Sequence, residues 1–303
     1  MKIAASVQAH TIFGNVAKSV NKALELIKEA SSNGAELIVF PEVFLGGYPR
    51  GMSFGCSVGV RTLLGRKEFV NYQAQAIKVP GPETVLLANA AKKYKINLVI
   101  GVLEIDPSCP RGTLYCTMLI FNNLGQLIHK HRKLKPTGAE RYIWGEGNIS
   151  TVKAVETNFG RVGGLICWEN KMPLVRNQLY EQGVEIYVAP TADGRDGWIS
   201  TMQHISQEGG CFVIAANQYA KIADIYDKDA AKALALEDIN SHSSSKVLYS
   251  GGSLICNPMG TIIAGPLRDQ EGIIYAEIDL QEINQAKFDF DVVGHYRSVL
   301  NEN

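Results

Sequence analysis

A thiol, a carboxylate and a basic run each stand where the chain could put them to chemical use. Cys167 lies in GGLICWEN, at the end of an apolar run and directly before Trp168, Glu169 and Asn170. Ligands in open α/β sheets gather at the carboxyl ends of strands, so a thiol there can serve as a nucleophile. The alternative is a buried, inert cysteine, the common fate of this residue type. Glu42 follows the run LIVFP, which puts it too at a strand end. A carboxylate so placed can be a general base, or simply a surface or helix-capping group. Gly46, Gly47, Pro49 and Gly51 then form a bent loop able to wall a pocket. The third stretch is HKHRKLKPTGAERYIWGEG, residues 129–147. Strand alternation there sends Lys130 and Arg132 to one face and His131 and Lys133 to the other. A lysine turned inward beside a carboxylate and a thiol is costly unless it has a task.

Short apolar runs alternating with helical patterns must position these groups. Strands are expected at 2–9, 37–41, 97–104, 113–121, 126–131, 162–168, 185–190, 211–218 and 272–279. Helices are expected at 15–32, 82–94, 173–182 and 197–208. Val16, Val20, Leu24 and Ile27 keep helical spacing, and Asn33-Gly34 closes that helix because both residues tolerate positive φ. Residues 251–256 and 261–264 flank Asn257-Pro258-Met259-Gly260, a hairpin turn. Many strands interleaved with helices mean an α/β protein. No repeat or Pro/Gly-rich linker divides the chain, so residues 1–303 read as a single domain. The polar stretch 221–248 reads as a long surface loop.

Composition removes several classes of function. Thirty basic and 30 acidic residues leave no formal net charge, which argues against nucleic-acid binding. No apolar run reaches 18 residues and the N-terminus lacks a signal pattern, so neither a membrane span nor secretion is expected. Six scattered cysteines without a C-x-x-C pair suit reduced thiols in the cytoplasm. None of the six histidines falls in a metal-binding motif; His129 and His131 lack an evident acidic partner and read as satisfied or exposed. Neither a Walker loop nor a G-x-G-x-x-G fingerprint occurs, and no metal or organic cofactor is expected.

Taken together, FPEVFLGGYPRG, HRKLKPTGAER and GGLICWENKMP resemble the glutamate, lysine and cysteine blocks of the nitrilase (carbon–nitrogen hydrolase) superfamily. APTADGRDGW resembles its following substrate-pocket segment, which brings in Pro190 and Thr191. EGGCFVIAANQ and FDFDVVGHYRS resemble later blocks, so the likeness runs from about residue 3 to residue 298. CWEN after the strand resembles the true nitrilase branch, and GGYPRG with CWENKMP resembles plant-type and related bacterial nitrilases.

The resemblance implies a four-layer αββα sandwich, assembled as a homodimer or larger homo-oligomer. It implies a Glu42-Lys133-Cys167 triad, with Glu140, seven residues after Lys133, as the second glutamate that positions the lysine and substrate. The implied reaction converts an organic nitrile to a carboxylic acid and ammonia through a cysteine thioimidate and thioester. Amide or carbamoyl hydrolysis on the same triad is the nearest alternative; cyanide conversion and a non-catalytic scaffold are more distant. Tyr48, Trp144, Trp168 and Trp198 lie near the three blocks, as an aromatic pocket or as core packing.

Overall fold

The structure is a computed structural model that describes residues 1–109, 112–226 and 247–297. Most of the expected surface loop 221–248 therefore lies outside the described residues, as does Ser298 of the last resembling block.

In the first half, β1 (Lys2–Gln8), α1 (Val16–Ser32) and β2 (Ala35–Val39) form a parallel crossover. A small hairpin, β3 (Cys56–Ser57) and β4 (Val60–Arg61), leads into α2 (Leu63–Gln73). Helix α3 (Pro82–Tyr94) precedes β5 (Asn97–Ile105), β6 (Leu114–Phe121) and β7 (Leu127–Arg132), an antiparallel meander. The second half runs β8 (Val155–Glu156), β9 (Arg161–Gly164), α4 (Pro173–Glu181), β10 (Ile186–Thr191), α5 (Asp196–Gly209) and β11 (Phe212–Asn217). It continues through β12 (Tyr219–Lys221), the single turn α6 (Ile222–Ile225), β13 (Val247–Cys256), β14 (Ile262–Arg268), β15 (Gly272–Ile278) and α7 (Gln281–Asp289).

Two sheets result. The first has the order β15-β1-β2-β5-β6-β7, and the second β12-β13-β11-β10-β9-β8 with β14 on β13. Strand alternation gives each sheet two apolar faces. Val39, Val99, Met118, Ile186, Val188 and Ile214 meet in one core between the sheets. On the far side of the first sheet, Ile38, Ile100 and Leu119 pack under Ala23 and Ile27 of α1 and Leu87 of α3. On the far side of the second, Tyr187, Ala189 and Val213 pack under Leu179 of α4 and Met202 of α5. This is the αββα sandwich. Ser6 Oγ crosses the central layer to donate to Ala215 O at 2.9 Å.

Among the described residues no helix is long and apolar enough to cross a membrane. The expected turn at 257–260 forms as read: Asn257 N donates to Thr261 O, and Gly260 takes φ 83°. One strand boundary differs in a way that matters. The strand expected at 162–168 ends at Gly164, and Cys167 opens a separate 3-10 turn, Cys167–Lys171.

Candidate active site

Glu42, Lys133 and Cys167 meet where strands of both sheets end. Glu42 lies in the loop leaving β2, and Gln218, just past β11, donates from Nε2 to its backbone oxygen at 3.0 Å. The loop sits directly over β5 at Gly101, where a Cβ would fall 2.4 Å from Pro41 O and 2.8 Å from Glu42 Cα. Only glycine admits so close an approach. Lys133 follows the last residue of β7, and its amide is tied to Cys116 O. The expected alternation holds: Lys130 and Arg132 face outward to Glu104, while His131 and Lys133 turn inward.

Cys167 takes φ 51°, and Val43, beside Glu42, takes φ 47°. Left-handed backbone is costly for a side chain with a Cβ, by about 1–3 kcal/mol, and such conformations collect at functional sites. At Cys167 it lifts the thiol out of the strand line toward the cavity.

The charges are arranged around one ammonium. Lys133 Nζ donates to Glu42 Oε1 at 2.7 Å and to Glu140 Oε2 at 2.8 Å. Glu140 is further held by Tyr48 OH on Oε1 at 2.6 Å and by the Thr137 amide on Oε2 at 2.7 Å. The Cys116 thiol donates to Glu42 Oε1 at 3.5 Å, and among the described residues no hydrogen-bond partner meets the buried Glu42 Oε2. Thr191 Oγ1 donates to Cys167 Sγ at 3.2 Å. Glu42 and Lys133 are 0% exposed, and Glu140 and Cys167 are 8% and 5%.

Burial, the largest influence, pushes the Glu42 carboxyl above its ordinary value against the pull of Lys133. Burial works against charge on Lys133 too, yet Glu42, Cys167, Cys116 and Glu140 hold the ammonium well above its ordinary pKa. The Cys167 thiol is pushed up to about 12 by burial and by Glu42, with Lys133 and Thr191 acting in the opposite sense. A thiol in that range is protonated near neutrality, so any reaction that uses it as a nucleophile requires a base.

Above the thiol opens a cavity of about 710 Å³, walled by Tyr48, Arg50, Met52, Phe54, Glu140, Ile143, Trp168, Asp193, Arg195 and Tyr249, among others. Tyr48 and Trp168 stand on this wall as expected from sequence. Trp144 lies behind it, edge-on to Tyr48 at 5.8 Å and 5.7 Å from Lys133 Nζ. Pro190 and Thr191 are buried at the end of β10, where Thr191 meets Cys167 rather than the cavity. Trp198 is elsewhere. It lies on the inner face of α5 and packs against the outside of the second sheet, so the core reading of this tryptophan is the one the structure follows.

Sequence reasoning passed over Asp193, which accepts from Trp168 Nε1 at 2.8 Å and from Arg195 at 2.6 Å. Burial favours its neutral form, but these bonds hold it down at about 2. Its signal is present in APTADGRDGW, where it stands between Thr191 and Trp198, two residues the sequence does bring forward. His131 does have an acidic partner, contrary to expectation: Glu169, at 3.1 Å. The two are 38 residues apart in sequence, too far for a spacing argument to join.

Tyr48→Phe removes one of the bonds that fix Glu140. It is expected to slow turnover by on the order of tenfold, the cost of losing a hydrogen bond to a charged group. Steady-state kinetics on the folded variant would check this, and an unchanged rate would mean Lys133 and Thr137 suffice.

Comparison with known proteins identifies the family. The profile of the carbon–nitrogen hydrolase family matches residues 3–288. A bifunctional nitrilase/nitrile hydratase, NIT4B, of Nicotiana tabacum is 50% identical over 290 residues, covering 96% of this chain and 81% of that protein. Nitrilase 2 of Arabidopsis thaliana is 48% identical, covering 96% and 84%. In structure the chain resembles Saccharomyces cerevisiae Nit3, a member of branch 10 of the nitrilase superfamily. The TM-score is 0.74 at 23% identity, over 98% of this chain and 97% of that one. The chain belongs to the carbon–nitrogen hydrolase family and is a hydrolase of carbon–nitrogen bonds.

Proposed function

We propose that this hydrolase converts an organic nitrile to its carboxylic acid and ammonia, with Cys167 as nucleophile. The observation that carries the reading is the buried Lys133 ammonium held between Glu42 and Glu140 beside the cavity-facing thiol. The names of the relatives at about half identity support nitriles as the substrate class.

A nitrile carbon is a weak electrophile, and sulfur is a suitable nucleophile for it. Glu42 takes the Cys167 proton as sulfur attacks, and its unpartnered Oε2 is the oxygen with room for that proton. Negative charge developing on nitrogen is stabilised by Lys133, with the Trp168 backbone N–H as a further donor. Glu42 passes the proton it took from Cys167 to that nitrogen, which completes the thioimidate and leaves Glu42 ionised again. Glu42 then activates water, which adds to the thioimidate carbon. The tetrahedral intermediate expels ammonia and leaves a thioester, and a second water releases the acid and restores the thiol. If the thiolate leaves instead, the product is the amide.

Which group leaves depends on which is better stabilised. A nitrogen protonated and held by Glu42 or Glu140 leaves as ammonia. The acid is therefore expected to dominate, with the amide a minor product that grows for electron-poor substrates. Glu140→Gln is expected to slow the reaction and raise the amide share. The acid-to-amide ratio at early conversion, read by chromatography over a panel of nitriles, tests this. Mainly amide from the native protein would make it a hydratase on the same residues, and hydrolysis of amides alone would make it an amidase.

A cytoplasmic homo-oligomer completes the proposal. Leu63, Leu64 and Val70 on α2 and Leu174 on α4 are exposed apolar side chains of the kind a subunit contact covers.

A further inference from the structure

Glu169 does not face the cavity, yet its carboxylate gathers donors from both sides of the site. Oε1 accepts from the Leu134 amide at 2.5 Å, and Oε2 accepts from the Ile166 amide at 2.7 Å. Leu134 is the residue after Lys133, and Ile166 is the residue before Cys167. His131 Nε2 lies 3.1 Å from Oε2 and 3.3 Å from Oε1. The other imidazole nitrogen, Nδ1, is 2.9 Å from Thr151 Oγ1, which itself donates to Asn148 O at 2.7 Å. Glu169 and His131 are both buried.

The backbones that carry the ammonium and the thiol thus hang on the two oxygens of one carboxylate. They come from different sheets, and among the described residues no strand pairing joins β7 to β9. Bonds from amides to a carboxylate are charge-assisted and geometrically demanding, so they fix separation better than apolar packing does. We propose that Glu169, oriented by His131 and Thr151, is a positioning residue that sets the distance between the Lys133 ammonium and the Cys167 thiol.

Glu169→Gln keeps the shape but offers one acceptor where two amides need one each. Either Leu134 N–H or Ile166 N–H then faces an NH2 group, and the two segments part. Thr151→Val is the milder test, since it removes only the hydroxyl that holds His131, and Thr151→Ser restores it.

The inference rests on Cys167 being the reactive thiol, so the readout is alkylation of Cys167 by iodoacetamide at neutral pH, located by peptide mass spectrometry. Lys133 favours the thiolate, and moving the ammonium away slows its formation. Glu169→Gln is expected to be alkylated at least about fivefold more slowly than the native protein, and Thr151→Val at least about twofold more slowly, with Thr151→Ser near native. In turnover, kcat falls while KM for the best nitrile of the panel stays put, since no substrate contact is lost. A carboxylate that served only to hold the fold together would loosen the turn on removal, expose the thiol and speed its alkylation. Faster or native-rate alkylation in Glu169→Gln overturns the proposal, and Thr151→Val decides in the same way if Glu169→Gln does not fold. Failure of the native protein to react at Cys167 would instead remove the nucleophile assignment, a result visible before any variant is made.

Discussion

Cys167→Ala is expected to abolish turnover of every substrate while leaving the fold intact. The substitution deletes one sulfur and adds no bulk, and alanine is no larger a burden than cysteine at φ 51°. Thr191 Oγ1 loses an acceptor but retains its bond from the Asp193 amide at 3.0 Å. Nothing else in the cluster can substitute for the thiol. Cys116, the other cysteine near Glu42, is buried between the sheets and absent from the cavity wall, and burial pushes its thiol well above the ordinary value. Circular dichroism and thermal melting would confirm the fold, and ammonia release would show the loss. Residual turnover above about one part in a thousand of the native rate would mean a covalent route is not obligatory, because loss of the nucleophile of a catalytic triad costs on the order of a millionfold in kcat.

The second large effect is expected at Glu42 and Lys133. Glu42→Gln keeps volume and removes the base; Lys133→Met keeps length and removes the charge. Each should cost at least about a hundredfold in kcat, the lower range for losing a general base or an anion stabiliser. Lys133→Met also leaves Glu42 and Glu140 buried without their cation. Breaking a buried pair costs about 3–5 kcal/mol, so its melting temperature should fall more than that of Glu42→Gln. The pH profile distinguishes the two roles. Glu42 acts as a base only when ionised, so activity falls as pH drops through its carboxyl pKa. Burial raises that pKa, so the acid limb of kcat/KM lies above the ordinary carboxylate range. Glu42→Gln should lose this limb. An acid limb that persists unchanged would assign the base to another group.

Much of this site was legible in the sequence, and the rest was hidden for identifiable reasons. Glu42 and Lys133 stand 91 residues apart, and what marked each was its local pattern: a carboxylate after a buried run, and an inward lysine in a strand whose outward positions are basic. Local pattern also placed Cys167 near a strand end. It missed that the strand stops at Gly164, because LIC continues the apolar run that signals a strand while the backbone has already turned. Aromatic residues clustered near the motifs point Trp198 toward a pocket as readily as toward the core. Its place on the buried face of α5 is a matter of helix phase, which a single aromatic does not reveal. Helix α2 leaves no amphipathic pattern in the sequence: Leu63, Leu64 and Val70 are exposed while Gly65 and Tyr72 are buried, so its apolar residues do not trace the face it buries. The Glu169 contacts with Leu134 and Ile166 are to backbone amides, and side-chain identity carries no trace of those.

The central claim is that Cys167 attacks a nitrile carbon. Acid-quenching the protein during nitrile turnover and mapping the adduct by mass spectrometry tests it most directly. The account predicts a thioimidate or thioester mass on the peptide holding Cys167, with ammonia released in step. An adduct on Cys56, Cys109 or Cys211, or ammonia from amides with none from any nitrile, would contradict it.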